Sequence, residues 1–250
     1  MSLPAFLLLH GAWAGSWVWD RVVPHLRAAG HLVVAPDLPG GVSTTAKETV
    51  SVEDMVDQSL AALPDAGGPW IVVGHSGGGV VGTMVAERMV ATHPDSIVGL
   101  VYLAGMMLPS GMGFRQACTI AGSIPPQGIE PYLKPAPDGL STLVPPEAAV
   151  AIFFHCAAPD DAIAAARRLN PQLDSSWMIV PLWTAAGAGT VPRLYIEALQ
   201  DRSVPIAVQR TMQRLVPGAR IACIDTDHAP QLSTPGDVAA HLLGFAKELS

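Results

Sequence analysis

The sequence predicts an α/β fold: a mostly parallel sheet flanked by helices, with a helical cap inserted between its strands. Three observations carry that expectation. Short β runs alternate with amphipathic helical stretches from Ala5 to Leu103. The alternation stops in a proline-, methionine- and glycine-rich stretch from about Met106 to Thr190, and it resumes from Leu194 to the end. Strands that alternate with helices pair in parallel and bury both faces of the sheet. A chain of 250 residues suits one such unit, with residues 1–105 and 191–250 as the core and 106–190 as the cap.

The elements follow in order. Ala5 to Leu9 is an apolar run ending at His10-Gly11. A helical pattern follows, with Trp19, Val22, Val23 and Leu26 on one face and Gly30 after it. Leu32 to Ala35 is the next strand, stopped by Pro36; a polar, glycine-containing loop leads to a helix from about Glu53 to Leu63. Trp70 to Val73 is strand-like. Gly74 opens a tight turn into a helix reaching about Ala91, with Val81, Met84, Val85 and Met89 on its buried face, and Ile97 to Leu103 is again β. The cap has helical patches near Pro146–Phe154 and Asp160–Leu169. The last third reads as strand Leu194–Leu199, helix Ile206–Leu215, strand Arg220–Ile224 and a final helix. That helix starts at Thr234-Pro235-Gly236-Asp237, with threonine as N-cap, and buries Val238, Leu242, Phe245, Ala246 and Leu249.

Composition narrows the function classes. Half the residues are hydrophobic and 14% are charged, as in a globular chain. The net charge of −7 and the lack of a basic run point away from nucleic-acid and membrane-surface partners. Leu3–Leu9 is too short and too uncharged at its start for a signal peptide, and no apolar stretch reaches the ~18 residues of a membrane span. Cys118, Cys156 and Cys223 form neither a metal-ligand spacing nor a disulfide framework, so the expected setting is cytoplasmic, without metal or other cofactor. A homodimer is left open.

Gly74-His75-Ser76-Gly77-Gly78 matches G-x-S-x-G between a β run and a helix, the context in which that motif presents a nucleophile. The turn strains the serine backbone, and the residues two before and two after it must be small because strand and helix nearly touch. Ser76 Oγ is then exposed at the positive end of a helix dipole.

A hydroxyl needs a base within hydrogen-bond reach. His228, in Asp227-His228-Ala229-Pro230, follows the last strand and so lies on the same sheet edge as the turn. His25, His31, His75, His93 and His241 read as surface or structural; His10 and His155 are candidates for the pocket lining. Asp201 follows the preceding strand and is placed to orient the imidazole and stabilise imidazolium. Asp225 and Asp227 compete, but they are awkwardly near His228 in sequence and read as solvated; Asp37 reads as a turn former. The oxyanion formed on attack needs preorganised N–H donors. Gly77 supplies one, and Ala12, in the loop His10-Gly11-Ala12-Trp13, the other, with Gly11 letting the backbone turn close to the substrate.

His10-Gly11-Ala12-Trp13, Asp37-Leu38-Pro39-Gly40, residues 74–78 and Asp227-His228 together resemble the α/β-hydrolase superfamily. More narrowly they resemble the branch holding plant methylesterases, such as salicylate methylesterases, and hydroxynitrile lyases. The similarity spans Ala5–Leu103 and Leu194 to the end, and is weak in the cap. It implies Ser76, Asp201 and His228 as triad and Ala12 and Gly77 as oxyanion donors. The lyases usually carry threonine where this chain has Gly11, and lysine where it has Ala229. That lysine stabilises departing cyanide, so ester hydrolysis is favoured over cyanohydrin cleavage. Dehalogenases and epoxide hydrolases of the superfamily use an aspartate nucleophile, which Ser76 is not.

The expected reaction is acyl transfer to water through an acyl-enzyme. The cap carries Met106, Met107, Met112, Phe114, Phe153, Phe154, Trp177, Met178 and Trp183 and few basic residues, so the expected substrate is a small apolar ester, methyl ester or lactone. Gly11, Trp13, Met106, Phe153 and Trp183 are the expected substrate contacts, and Trp17 either touches the ligand or packs under the first helix. Two other readings use the same parts: a biosynthetic non-hydrolase with the triad as general base, and a hormone-type receptor.

Overall fold

The computed structural model describes residues 3–41, 48–64, 68–123 and 128–249, so part of the polar loop after Pro36 lies outside the described residues. The first half of the core comprises β1 (Ala5–Leu9), α1 (Val23–Ala28), β2 (Val33–Val34), α2 (Val52–Ala61), β3 (Trp70–His75), α3 (Gly78–Thr92) and β4 (Ile97–Leu103). The segment that follows holds α4 (Phe114–Ile120), β5 (Lys134–Pro135), β6 (Ser141–Leu143), α5 (Pro146–Ile152), α6 (Pro159–Ala166), β7 (Gln172–Leu173) and α7 (Asp174–Trp177). The chain ends with β8 (Arg193–Ala198), α8 (Ile206–Leu215), β9 (Arg220–Ile224), α9 (Pro230–Ser233) and α10 (Pro235–Glu248).

Six strands form one sheet in the order β2-β1-β3-β4-β8-β9, every pair parallel. Its strands alternate their side chains between two apolar layers, as a pleated backbone must. In β1, Ala5, Leu7 and Leu9 join α2 and α3 on one face, while Phe6 and Leu8 pack with Trp19, Leu26 and α10 on the other. Both layers are sealed, which explains the nearly unbroken apolar runs of β1, β3 and β4.

Three local readings need correction. The expected first helix is broken: a single 3-10 turn at Ser16–Trp19 precedes α1. Pro24 in the first turn of α1 lacks an N–H and disfavours helical backbone before it, so the helix restarts there. Thr234 is the N-cap residue of α10 but makes no side-chain capping bond; its hydroxyl donates to the Pro230 carbonyl at 3.3 Å, because the short helix α9 runs directly into α10. The segment after β4 is not purely helical, since β5, β6 and β7 make a small antiparallel sheet. Of the histidines read as surface or structural, His31 and His75 are buried.

Register brings the chemistry to one edge. Leu9 pairs with Gly74, and Ala198 with Ile224, so the segments leading to His10, Ser76, Asp201 and His228 all leave the carboxyl ends of their strands. Open parallel sheets bind ligands at that edge. No helix among the described residues is long and apolar enough to cross a membrane.

Candidate active site

The turn from β3 to α3 is as tight as the motif requires. Ser76 sits at φ +52°, a left-handed conformation that a non-glycine residue holds at a cost of about 1–3 kcal/mol. A β-carbon on Gly74 would come within 2.3 Å of the Gly78 carbonyl oxygen, and one on Gly78 within 2.6 Å of the Leu9 and His10 carbonyls. Both positions therefore exclude any side chain. The strain at Ser76 is held from outside the turn: Met106 N–H donates to the Ser76 carbonyl at 2.9 Å and Ser76 N–H to the Leu103 carbonyl at 3.3 Å. α3 begins just after Ser76, directing its positive end at the hydroxyl.

His228 and Asp201 meet as expected. The His228 Nδ1–H donates to Asp201 Oδ2 at 2.7 Å, with both side chains buried. The other oxygen, Oδ1, accepts the Ser203 and Val204 amides at 2.7 and 2.8 Å, so the carboxylate is fixed on both sides. Nδ1 being a donor leaves Nε2 as the basic nitrogen. Ser76 and His228 line the same cavity, and among the described residues Ser76 Oγ has no hydrogen bond to the imidazole. Such bonds commonly tighten only when substrate arrives.

The competing acids have other work. Asp227 is fully buried rather than solvated: it accepts the Cys156 amide at 2.7 Å, the Ala229 amide at 3.1 Å and the Ser233 hydroxyl at 2.9 Å. It ties the His228 loop to the segment above. Asp225 is exposed and accepts from Gln200. Asp37 accepts the Ser16 amide at 2.6 Å, which braces the loop before the 3-10 turn.

His75 is the residue that sequence reasoning undervalued. Its Nε2–H donates to the His228 carbonyl at 2.7 Å, so it holds the backbone of the expected base. Burial, and then the neighbouring His228, pull its pKa down to about 3, which keeps it neutral. His10 is also kept neutral by burial; its Nδ1–H donates to the Gly11 carbonyl while Nε2 accepts the Leu38 amide. His10 lines the cavity and His155 does not.

The loop His10–Trp13 reaches the edge beside the elbow. The Ala12 nitrogen lies 4.0 Å from where a Gly77 β-carbon would stand, so the two expected donors are neighbours. Trp13 has φ +59° and is held by three bonds from the segment between β4 and β8. Its amide donates to Gln172 Oε1 at 3.1 Å, its indole N–H to Thr142 Oγ1 at 3.2 Å, and its carbonyl accepts the Asn170 amide at 2.8 Å.

These groups open on a cavity of about 220 Å³. Gly11, Trp13, Met106 and Phe153 line it, as do Phe114, Phe154, Trp177 and Met178. Trp183 does not: its indole N–H donates to the Leu108 carbonyl at 2.9 Å and its amide to Ser110 Oγ. The cause is the next residue, Thr184, whose amide and hydroxyl are fixed on the Glu87 carboxylate of α3, away from the site. Met107 is buried in the core, and Trp17 lies under the Arg168 guanidinium at 4.6 Å, outside the lining. Cys118 lines the cavity, but burial pushes its thiol up to about 11, so it is protonated and a poor nucleophile at neutral pH. Among the described residues no group of three His, Cys, Asp or Glu side chains is placed to hold a metal ion.

The sequence profile of the alpha/beta hydrolase family matches residues 6–241. The chain belongs to the alpha/beta hydrolase family. Within it, the chain is 31% identical to a pyrethroid hydrolase of Sphingobium wenxiniae over 98% of its own length and 89% of the relative's. It is 26% identical to Methylesterase 17 of Arabidopsis thaliana, over 93% and 87% of the two chains. The crystal structure of a pyrethroid hydrolase from Sphingobium faniae superposes with a TM-score of 0.84 at 28% identity, covering 98% of each chain. Plant methylesterases thus stand among the relatives of this hydrolase, as its motifs implied.

Proposed function

We propose that this hydrolase cleaves a small uncharged carboxylic ester, methyl ester or lactone through an acyl-enzyme on Ser76. The observation that carries the reading is that a strained Ser76 at the head of α3 and His228, paired with the buried Asp201 at 2.7 Å, line one cavity. His228 Nε2 takes the Ser76 proton as Oγ attacks the carbonyl carbon, and the oxyanion is held by the Ala12 and Gly77 amides. His228 then protonates the leaving alcohol, and water repeats the sequence on the acyl-enzyme.

His228 fits the role of base because the cavity's other imidazoles, His75 and His10, accept protons poorly: burial pulls the pKa of His75 down to about 3 and lowers that of His10 as well. The cavity volume of about 220 Å³ lies below the range of drug-sized sites, in keeping with a small substrate. The pyrethroid hydrolase and methylesterase names of its relatives support an ester bond as the target. The segment 106–190 acts in this reading as a cap closing the apolar site over the triad.

Mass spectrometry after treatment with a fluorophosphonate tests the nucleophile. One adduct on the peptide containing Ser76, absent from Ser76→Ala, is the expected result. Labelling elsewhere, or none in folded protein, overturns the assignment.

A further inference from the structure

One polar side chain in the cavity wall is used neither by the proposed chemistry nor by the protein's own hydrogen bonds. Gln231, in α9 just after His228, lines the cavity and is fully buried. Neither its amide oxygen nor its amide nitrogen has a hydrogen-bond partner. The other buried amide and hydroxyl in the wall, apart from the nucleophile, are bonded within the protein: Gln172 to Trp13 and Ser176, and Ser176 to the Leu173 carbonyl. Folded chains rarely bury a primary amide with both its functions unmet, and such a group next to a reacting centre calls for a partner from outside.

The chemistry of that partner follows from what surrounds it. The amide offers one donor face and one acceptor face, so it matches a group that both accepts and donates. A second unmet acceptor is available: His75 lines the same cavity, its Nε2–H is spent on the His228 carbonyl, and its Nδ1 is buried without a partner. The group is uncharged, because Arg115, the one Lys or Arg among the described residues lining the cavity, is already paired with Glu130 through two bonds of 3.3 and 3.2 Å.

We propose that Gln231 is a specificity-determining residue that binds a neutral hydroxyl or carboxamide carried by the substrate beside its ester bond. The proposal rests on the ester-hydrolase reading and names its substrate class more narrowly: an ester with a second, hydrogen-bonding group. An analogue lacking that group leaves the amide unpaired in the complex, which is how a buried polar site rejects it.

The test uses matched ester pairs of equal length, one ending in a hydroxyl and the other in a methyl group. One series varies the acyl arm of methyl esters, the other the alcohol arm of acetates. We expect wild type to favour the hydroxylated member of at least one series by about tenfold in kcat/KM, the worth of one net hydrogen bond. That preference collapses in both Gln231→Met and Gln231→Leu. A preference absent from wild type, as when a resident water satisfies the amide, or retained in both variants, overturns the proposal. Calorimetric titration of the same pairs into Ser76→Ala separates it from the reading beneath it. If no ester is hydrolysed but the hydroxylated member binds more tightly, and Gln231→Met in that background removes the difference, the Gln231 site stands while the ester-hydrolase reading falls. Equal binding of the two members overturns the site alone. The unliganded Gln231→Met protein should melt no lower than wild type, since an unpaired amide is replaced by an apolar chain of similar length; a marked fall would make Gln231 a structural residue.

Discussion

Gly11 lies so close to Ser76 that a β-carbon on it would stand 2.8 Å from Ser76 Cβ. The loop of the proposed Ala12 donor packs directly against the Ser76 turn, and that turn is held in place by the bonds of Ser76 to Leu103 and Met106. Gly11→Ala should therefore fold but lower kcat/KM by about two orders of magnitude, the scale set by displacing a reacting group about 1 Å. Gly11→Thr should lose more. Steady-state kinetics on protein with a native circular-dichroism spectrum checks both, and an active Gly11→Thr variant would contradict the packing.

Asp201 and Asp227 flank the same histidine with different consequences. Asp201→Asn should cost about four orders of magnitude in kcat, because the imidazole loses its tautomeric control. Asp227→Asn should act on stability, by about 1–3 kcal/mol in urea unfolding, because the donors on Cys156, Ala229 and Ser233 that meet the buried carboxylate lose a charged acceptor. If Asp227→Asn abolished turnover and left stability intact, the two acids would have to exchange roles.

Trp13, the residue after the proposed donor Ala12, has a left-handed conformation, with Gln172 accepting its amide proton. Gln172→Leu releases that amide. The expected outcome is a fall in kcat of about tenfold or more at nearly constant KM. Affinity for a boronic acid that mimics the tetrahedral intermediate should drop in parallel. A change confined to KM would place Gln172 in ground-state binding instead.

Acid should unfold the protein through its buried histidines. His75 is depressed to about 3 and His10 is lowered as well, both chiefly by burial, whereas in the unfolded chain each titrates near 6.5. Below pH 6.5 the unfolded state therefore binds more protons. The stability these groups contribute is complete above pH 6.5 and declines as pH falls; for His75 the decline continues to about pH 3, by up to about 1.4 kcal/mol per pH unit. His75→Gln keeps an N–H for the His228 carbonyl and removes one titration. Its urea-unfolding free energy should fall less steeply with acid than that of wild type, by about one proton; identical slopes would contradict the burial of His75.

Much of this site was legible in the sequence because its rules are local. Two glycines around Ser76, a β run before it and a helix after it leave one geometry, and the strand-end positions of Asp201 and His228 follow from alternation alone. The strand Arg220–Ile224 and the helix Ile206–Leu215 lie where periodicity put them. Long-range contacts were not legible. Asp227 looked solvated because nothing nearby in sequence shows that Cys156 will seek its carboxylate. Trp183 looked like a pocket residue because the Glu87 anchor that turns its segment away is nearly a hundred positions earlier. The short strands β5–β7 carry two or three residues each, too few for any period to register.

Hydrolysis of short-chain p-nitrophenyl esters by wild type and by folded Ser76→Ala tests the central claim most directly. The account predicts multiple turnovers by wild type, and loss of at least three orders of magnitude in kcat on removing the hydroxyl. Equal hydrolysis by both proteins would contradict it, because the carbonyl would then be attacked by something other than Ser76.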